Sequence, residues 1–264
     1  MRTPGHAVPP GGSPVILVQG VFKEYRTRTG SVLAVADLSF SVREREFVAI
    51  LGSSGCGKST LLRMVSGLTP PTEGSIQVKG EAVTEPLETV GMVFQSPVLL
   101  KWRSVLGNVL FPAEALRRGK TAYHDRALAL LKLVGLEGFE RKYPSELSGG
   151  MAQRVSLCRA LLLDPDLMLM DEPFGALDAL TREEMNLELL RIWEERRKTI
   201  LFVTHSLSEA VFLADRVVVM TPRPGRLALD LAIDLPRPRF NALRAEPRFG
   251  EYLLRLQQTM GLAR

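Results

Sequence analysis

The chain has 264 residues, 45% hydrophobic and 24% charged, which is ordinary globular composition with room for one large unit or two small ones; its net charge of +5 suits a nucleotide, a nucleic acid or an anionic membrane face and selects none. Two cysteines, Cys56 and Cys158, are too few and too far apart for a disulfide or zinc framework, and read as thiols of a reduced, cytosolic chain. Arg159, Asp164, Asp166, Asp215 and Arg216 interrupt the most apolar windows, which excludes the run of about 20 uncharged residues that a spanning helix needs.

Residues 1–14 are rich in Pro and Gly and lack an apolar stretch, so they read as a disordered tail and not as a signal peptide. Residues 15–19 and 32–42 alternate in the manner of half-buried strands of an antiparallel sheet. The apolar run 47–51 reads as a buried strand. It leads into Gly52, Ser53, Ser54, Gly55, Cys56, Gly57, Lys58, Ser59 and Thr60, which fit G-x-x-x-x-G-K-[ST], and residues 61–65 then read as the start of a helix. Strand, loop and helix form the context of a phosphate-binding loop. Glycines let backbone N–H groups curl around an anion, and the helix N-terminus adds partial positive charge. In that reading Lys58 reaches the β- and γ-phosphates of a nucleotide and Ser59 holds Mg²⁺. Cys56 acts through its backbone N–H and not as a nucleophile. The plain alternative is a glycine-rich turn, and the flanking pattern argues against it.

Residues 73–78 and 90–94 read as further strands. From 96 to about 165 the character changes. Helical spacing over 121–134 and 150–163 makes this block a helical insertion. Within it, Ser148, Gly149 and Gly150 stand just before a helix, where they make a second anion cradle or a simple capped turn. Strand patterns return at 167–170, 199–203 and 216–220, with a helix over 180–197 between the first two. That β–α–β alternation implies a parallel core sheet. The strand at 167–170 ends in Asp171 and Glu172. Beside a phosphate loop, the first carboxylate can join the Mg²⁺ shell and the second can orient or deprotonate an attacking water; a helix N-cap is the structural alternative. The charged stretch 182–198 reads as a solvated helix face, and no nucleic-acid partner is expected. From 222 the chain turns Pro/Gly-rich and ends in an amphipathic helix over 249–260.

The order of these parts is diagnostic: the loop at 52–60, Gln95 after a strand, LSGG at 147–150, the apolar strand ending in Glu172, then Gly175-Ala176-Leu177-Asp178, then His205. Over about residues 15–235 it resembles the ATP-binding subunit of an ABC transporter. The resemblance implies an α/β fold: a P-loop NTPase core with a parallel sheet, an N-terminal antiparallel β subdomain, and a helical subdomain inserted at about 96–165. Residues 236–264 are left as a C-terminal helical extension. It implies that Gln95 touches Mg²⁺ or the attacking water and that His205 contacts the γ-phosphate. It implies that Asp178 crosses a dimer interface, caps the helix at 180–197, or both. Tyr25 would stack on adenine.

The implied partners are a second copy in a head-to-tail ATP-sandwich dimer, a transmembrane permease that meets residues 95–112, and an extracytoplasmic solute-binding protein. The implied location is the cytoplasmic face of the inner membrane. Residues 97–109 and 221–227 resemble the nitrate, sulfonate and taurine import group. A soluble ABC ATPase is the alternative, although such chains usually carry two cassettes or a long coiled-coil insertion. There are departures: Met151 stands where the commonest signature has Gln, and Arg45 where a turn Gly is usual.

Overall fold

In the computed structural model, which describes residues 13–262 apart from Thr29, Ala176 and the side chain of Arg196, the chain builds two sheets. Residues 1–12 of the expected tail, and Ala176 of the GALD run, lie outside the described residues. β1 (Ile16–Thr27) and β2 (Gly30–Val42) pair antiparallel; β3 (Phe47–Leu51) leaves for the second sheet and delivers the chain to α1 (Lys58–Val65). β4 (Glu73–Val78) and β5 (Glu81–Ala82) return to complete a four-stranded antiparallel sheet in the order β2-β1-β4-β5. β6 (Val90–Val93) is followed by α2 (Val105–Ala115), α3 (His124–Leu133) and α4 (Gly149–Leu161). Then come β7 (Leu167–Asp171), α5 (Ala179–Arg196), β8 (Thr199–Thr204), α6 (Leu207–Leu213), β9 (Arg216–Met220), β10 (Leu227–Ala232) and α7 (Pro247–Thr259). The second sheet runs β10-β9-β3-β8-β7-β6, parallel except at β10.

Every residue of β3, β7 and β8 is buried, as a parallel sheet covered on both faces requires. Alternate side chains serve opposite faces. Phe47, Ala49, Met170 and Phe202 pack with Trp193 of α5 and Phe212 of α6. Val48, Ile50, Leu169 and Leu201 pack with Leu61 and Met64 of α1 and with Ile16 and Leu38 of the antiparallel sheet. The helical block has its own core, in which Val105, Val109, Leu131, Val155 and Leu162 meet.

Four elements exceed the sequence expectation: the two-residue β5, and α2, α6 and β10. α2 was hidden because Gly107 and Pro112 interrupt its pattern. It forms because Ser104 Oγ accepts from Gly107 N at 3.2 Å and because buried Asn108 pins the preceding loop, accepting from Leu100 N at 2.7 Å. α6 has seven residues, too short for a periodic signal, and is capped by Ser206 Oγ. β10 follows a Pro/Gly turn and is held to β9 by Arg216, whose guanidinium joins Asp230 and Glu46. Arg45, the departure from the usual Gly, adopts φ 61°, in the left-handed region that costs a non-glycine residue about 1–2 kcal/mol. Its N–H donates to Thr199 Oγ1 at 2.9 Å, which holds the turn in place.

The C-terminal segment is fastened to the core by arginines. Leu243, Phe249 and Leu256 join the main core. Arg237 lies 4.0 Å from the Trp193 ring centroid and pairs with Asp215 at 2.7 Å. Arg239 is 4% exposed, and its Nη1 donates to the carbonyls of Val211 (3.2 Å), Phe212 (3.0 Å) and Ala214 (2.8 Å) at the end of α6. Burial draws this guanidinium down to about 10. Arg239→Met keeps the volume and strips three carbonyls of a donor. It should lower the unfolding free energy by roughly 2–4 kcal/mol in a urea titration; a loss below about 0.5 kcal/mol would mean that solvent replaces the donor.

Candidate functional site

The loop between β3 and α1 takes its shape from glycines that no larger residue can replace. Gly57 precedes α1 at φ 107°, and a Cβ there would lie 2.9 Å from both Ala34 O and Val35 Cγ2 of β2. A Cβ on Gly52 would lie 2.7 Å from Cys56 Sγ. No side chain caps α1, so the first-turn N–H groups of the helix remain available to an anion. Lys58 is only 4% exposed; its Nζ donates to Gly52 O (2.9 Å) and Ser53 O (3.1 Å) and lies 3.4 Å from Glu172 Oε1. The Cys56 side chain is buried, and burial pushes its thiol above the ordinary value against the pull of Lys58.

Over this loop lies a cleft of about 350 Å³. Tyr25, Val32 and Ala34 line it from the antiparallel sheet, and Ser54, Gly55, Gly57, Lys58, Ser59 and Thr60 from the loop. Gln95, Glu172 and Arg223 close its rim. Lys23 Nζ sits 5.1 Å from the Tyr25 ring centroid. A larger cavity of about 610 Å³ lies elsewhere, against β6, α2 and the residues after α4. Its walls include Met92, Phe94, Leu100 and Phe111, the charged residues Lys79, Glu88, Arg118 and Arg159, and none of the loop residues.

The two acids at the end of β7 are held differently. Asp171 is buried, and its Oδ1 accepts from Ser59 Oγ at 2.9 Å. Burial raises its carboxyl above the ordinary carboxylate range, with the Ser59 bond opposing. A bound cation would offset that cost of burial. A carboxylate and a hydroxyl are hard oxygen donors and suit Mg²⁺. Among the described residues no group of three or more His, Cys, Asp or Glu is placed to hold a metal ion. A site of one carboxylate and one hydroxyl therefore fits an ion that takes the rest of its shell from phosphate and water.

Glu172 sits at φ 42°, a strained backbone for a side chain of this size. Its N–H still donates to Val203 O at 2.9 Å, which extends the ladder with β8. The carboxylate gathers three neighbours: Lys58 Nζ at 3.4 Å, His205 Nδ1 at 3.0 Å and Gln95 Nε2 at 3.5 Å. These come from α1 and from the ends of β6 and β8. The strand order β3-β8-β7-β6 is what brings those parallel ends side by side, at the carboxyl edge where such sheets bind ligands.

The second cradle stands apart. Ser148 Oγ accepts from Met151 N at 3.3 Å at the start of α4. A Cβ on Gly149 would meet open space, and one on Gly150 would lie 3.1 Å from Thr181 Cγ2. Asp178 Oδ1 accepts from Thr181 N at 3.0 Å and caps α5. None of Ser148, Gly149, Gly150 and Asp178 lines the cleft of its own chain. Arg223 was missed in the sequence. It lies in a Pro/Gly turn with no chemical signature, and reaches the loop only because β9 lies beside β3, with its Nε donating to Gly55 O at 3.3 Å.

Residues 35–175 match the family model described as ABC transporter. The chain is 47% identical over 227 residues to the taurine import ATP-binding protein of Rhizobium johnstonii, covering 84% of this chain and 86% of that one. It is 44% identical over 236 residues to the nitrate import ATP-binding protein of Synechococcus elongatus, covering 88% and 86%. A solved dimeric ATP-binding cassette in a post-hydrolysis state, bound to ADP and Pi, is similar with a TM-score of 0.75 and 31% identity, over 84% of this chain and 100% of that one.

Proposed function

The chain belongs to the ABC transporter family, and we propose that its cleft binds Mg²⁺ with ATP and that Glu172 activates the water that hydrolyses it. It is the ATP-binding and ATP-hydrolysing subunit of an importer, acting as a dimer with membrane partners. The observation that carries the mechanistic reading is the Glu172 carboxylate, with Lys58, His205 and Gln95 all within 3.5 Å.

In this mechanism the loop N–H groups of Gly52 to Thr60 and Lys58 hold the β- and γ-phosphates, and Tyr25 stacks on adenine. Ser59, Asp171 and Gln95 would hold Mg²⁺, which when bound offsets charge on the phosphate oxygens. Glu172 takes the proton of the attacking water. His205, oriented through Nδ1 by Glu172, meets the γ-phosphate. Ser148, Gly149 and Gly150 serve the ATP of a second copy; their exposed helix start, outside their own cleft, supports this. Asp178 lies at that interface while capping α5. Two ATP molecules then sit between head-to-tail subunits. Loss of the γ-phosphate removes the bridging charge and opens the pair.

We assign residues 15–235 to the ATPase unit, with the helical subdomain at about 96–165 and an extension at 236–264. The groove of about 610 Å³ is the proposed seat of the permease. Gln153 Nε2 donates to Phe94 O at 3.2 Å, so α4 is tied to the connection that carries Gln95. That tie links movement in the groove to the cleft. No helix among the described residues is long and apolar enough to cross a membrane. The proposed location is the cytoplasmic face of the inner membrane, with an extracytoplasmic solute-binding protein supplying cargo. The cargo class proposed is a small solute of the nitrate, sulfonate or taurine kind. Relatives of nearly equal identity are named for different cargoes, so the permease and binding protein choose among them.

Affinity purification of tagged chain from detergent-solubilised membranes, read by mass spectrometry, tests the role. A multi-span permease in about equal amount is expected; soluble partners alone would favour the soluble ATPase. Ser148→Arg should leave ATP binding by the monomer intact and lower hydrolysis by roughly 100-fold or more, as loss of charge-stabilising donors does. Full-rate turnover by monomeric S148R would sink the partner-site model.

A further inference from the structure

We propose that Arg223 is a nucleotide-contacting residue, its guanidinium reaching the polyphosphate of the nucleotide in the cleft. The proposal rests on the ATP reading above and adds a cation that the loop motif does not contain.

The turn between β9 and β10 is built to press against the phosphate loop. Gly225 N donates to Ala34 O at 2.9 Å and Ala36 N to Gly225 O at 3.0 Å, a strand-like bond to β2 on either side. Thr221 Oγ1 donates to Pro224 O at 3.0 Å and accepts from Arg226 N at 3.0 Å, closing the turn on itself. A Cβ on Gly225 would collide with the Cys56 carbonyl, so only glycine permits this approach. Arg223 sits within that fastened turn. Its Nε donates to Gly55 O at 3.3 Å, and the residue lines the cleft.

Charge bookkeeping in the cleft gives the guanidinium its task. The charged residues lining it are Lys58, Glu172 and Arg223. Lys58 and Glu172 lie 3.4 Å apart and offset one another. The net positive charge of the lining is therefore that of Arg223, while the ligand is a polyanion. Arg223 makes no ion pair with a carboxylate among the described residues, and its one hydrogen bond to protein uses Nε. The two Nη groups are left as a planar fork suited to phosphate oxygens.

The test is a fluorescence titration of the full chain with an ATP analogue, with ATP, ADP and adenosine as competitors, at low and at physiological salt. Arg223→Gln should weaken ATP and ADP by about tenfold and leave adenosine unchanged, the loss shrinking as salt rises. Arg223→Lys, which keeps the charge, should lose about threefold or less. Wild-type affinity in R223Q overturns the proposal. So does an equal loss in R223K and R223Q, which would mark a packing role, or an equal loss for adenosine. If Lys58→Ala loses ATP while R223Q does not, the ATP reading stands and the Arg223 proposal alone fails. Absence of ATP binding by the wild-type chain would remove both.

Discussion

Glu172→Gln is expected to lower ATP turnover by roughly 100- to 10,000-fold, the range set by losing a positioned general base. ATP affinity should stay within about threefold, or tighten. The two effects separate because the amide matches the carboxylate in shape. It can still meet His205, now 3.0 Å from Oε2, and Gln95, at 3.5 Å. What it cannot do is take a proton from water. The substitution also removes a negative charge 3.4 Å from Lys58, freeing the ammonium for phosphate and deleting repulsion against the triphosphate. Electrostatics thus favours binding while chemistry fails. With the γ-phosphate retained, E172Q should accumulate as a dimer in Mg²⁺ and ATP, visible by light scattering. Normal hydrolysis by E172Q would refute the assignment of the base; a monomer in saturating ATP would refute the nucleotide sandwich.

Lys58→Ala should weaken ATP binding by roughly 100-fold or more, since two charge-assisted bonds to phosphate are lost at a buried position. One effect opposes this. The Lys58 ammonium is occupied by Gly52 O, Ser53 O and Glu172, and the wild-type protein must give up part of those contacts to meet phosphate. Another adds to it. Without Lys58, the Glu172 carboxylate faces the triphosphate with no cation beside it. The carbonyl contacts are neutral acceptors and the phosphates are anions, so the loss outweighs the relief. Equilibrium titration by fluorescence checks the size. A thermal melt without nucleotide separates lost affinity from lost folding. Unchanged ATP affinity in K58A would defeat the loop reading and, with it, the role given to Ser59 and Asp171.

Much of this was legible in the chain because its chemistry is local. The run 52–60 is one contiguous turn, so its glycines and lysine could be recognised without knowing what lies across from them. The strand patterns at 47–51, 167–170 and 199–203 are apolar except for Thr199, and such runs belong to strands covered on both faces, as found. Boundaries were less legible. The expected strand at 15–19 extends to Thr27 because pairing with β2 continues through register shifts between Val18 and Glu24. α2 was invisible because its Gly and Pro argue against a helix, and the cap at Ser104 together with packing of Val105 and Val109 overrides them.

By itself, then, the sequence determined the glycine-rich loop at 52–60, the pair of acids after a buried strand and the alternation that makes a parallel sheet, because each depends on neighbours in the chain. Only the tertiary structure decided which side chains meet. The strand order placed Lys58, Gln95 and His205, far apart in sequence, around the Glu172 carboxylate. It set the β9–β10 turn against Gly55 and so brought in Arg223. It also left Ser148, Gly149 and Gly150 outside their own cleft, because α4 begins in the helical block, which has a separate core. Hydrophobic burial on two faces of one sheet, rather than any local motif, fixes that arrangement.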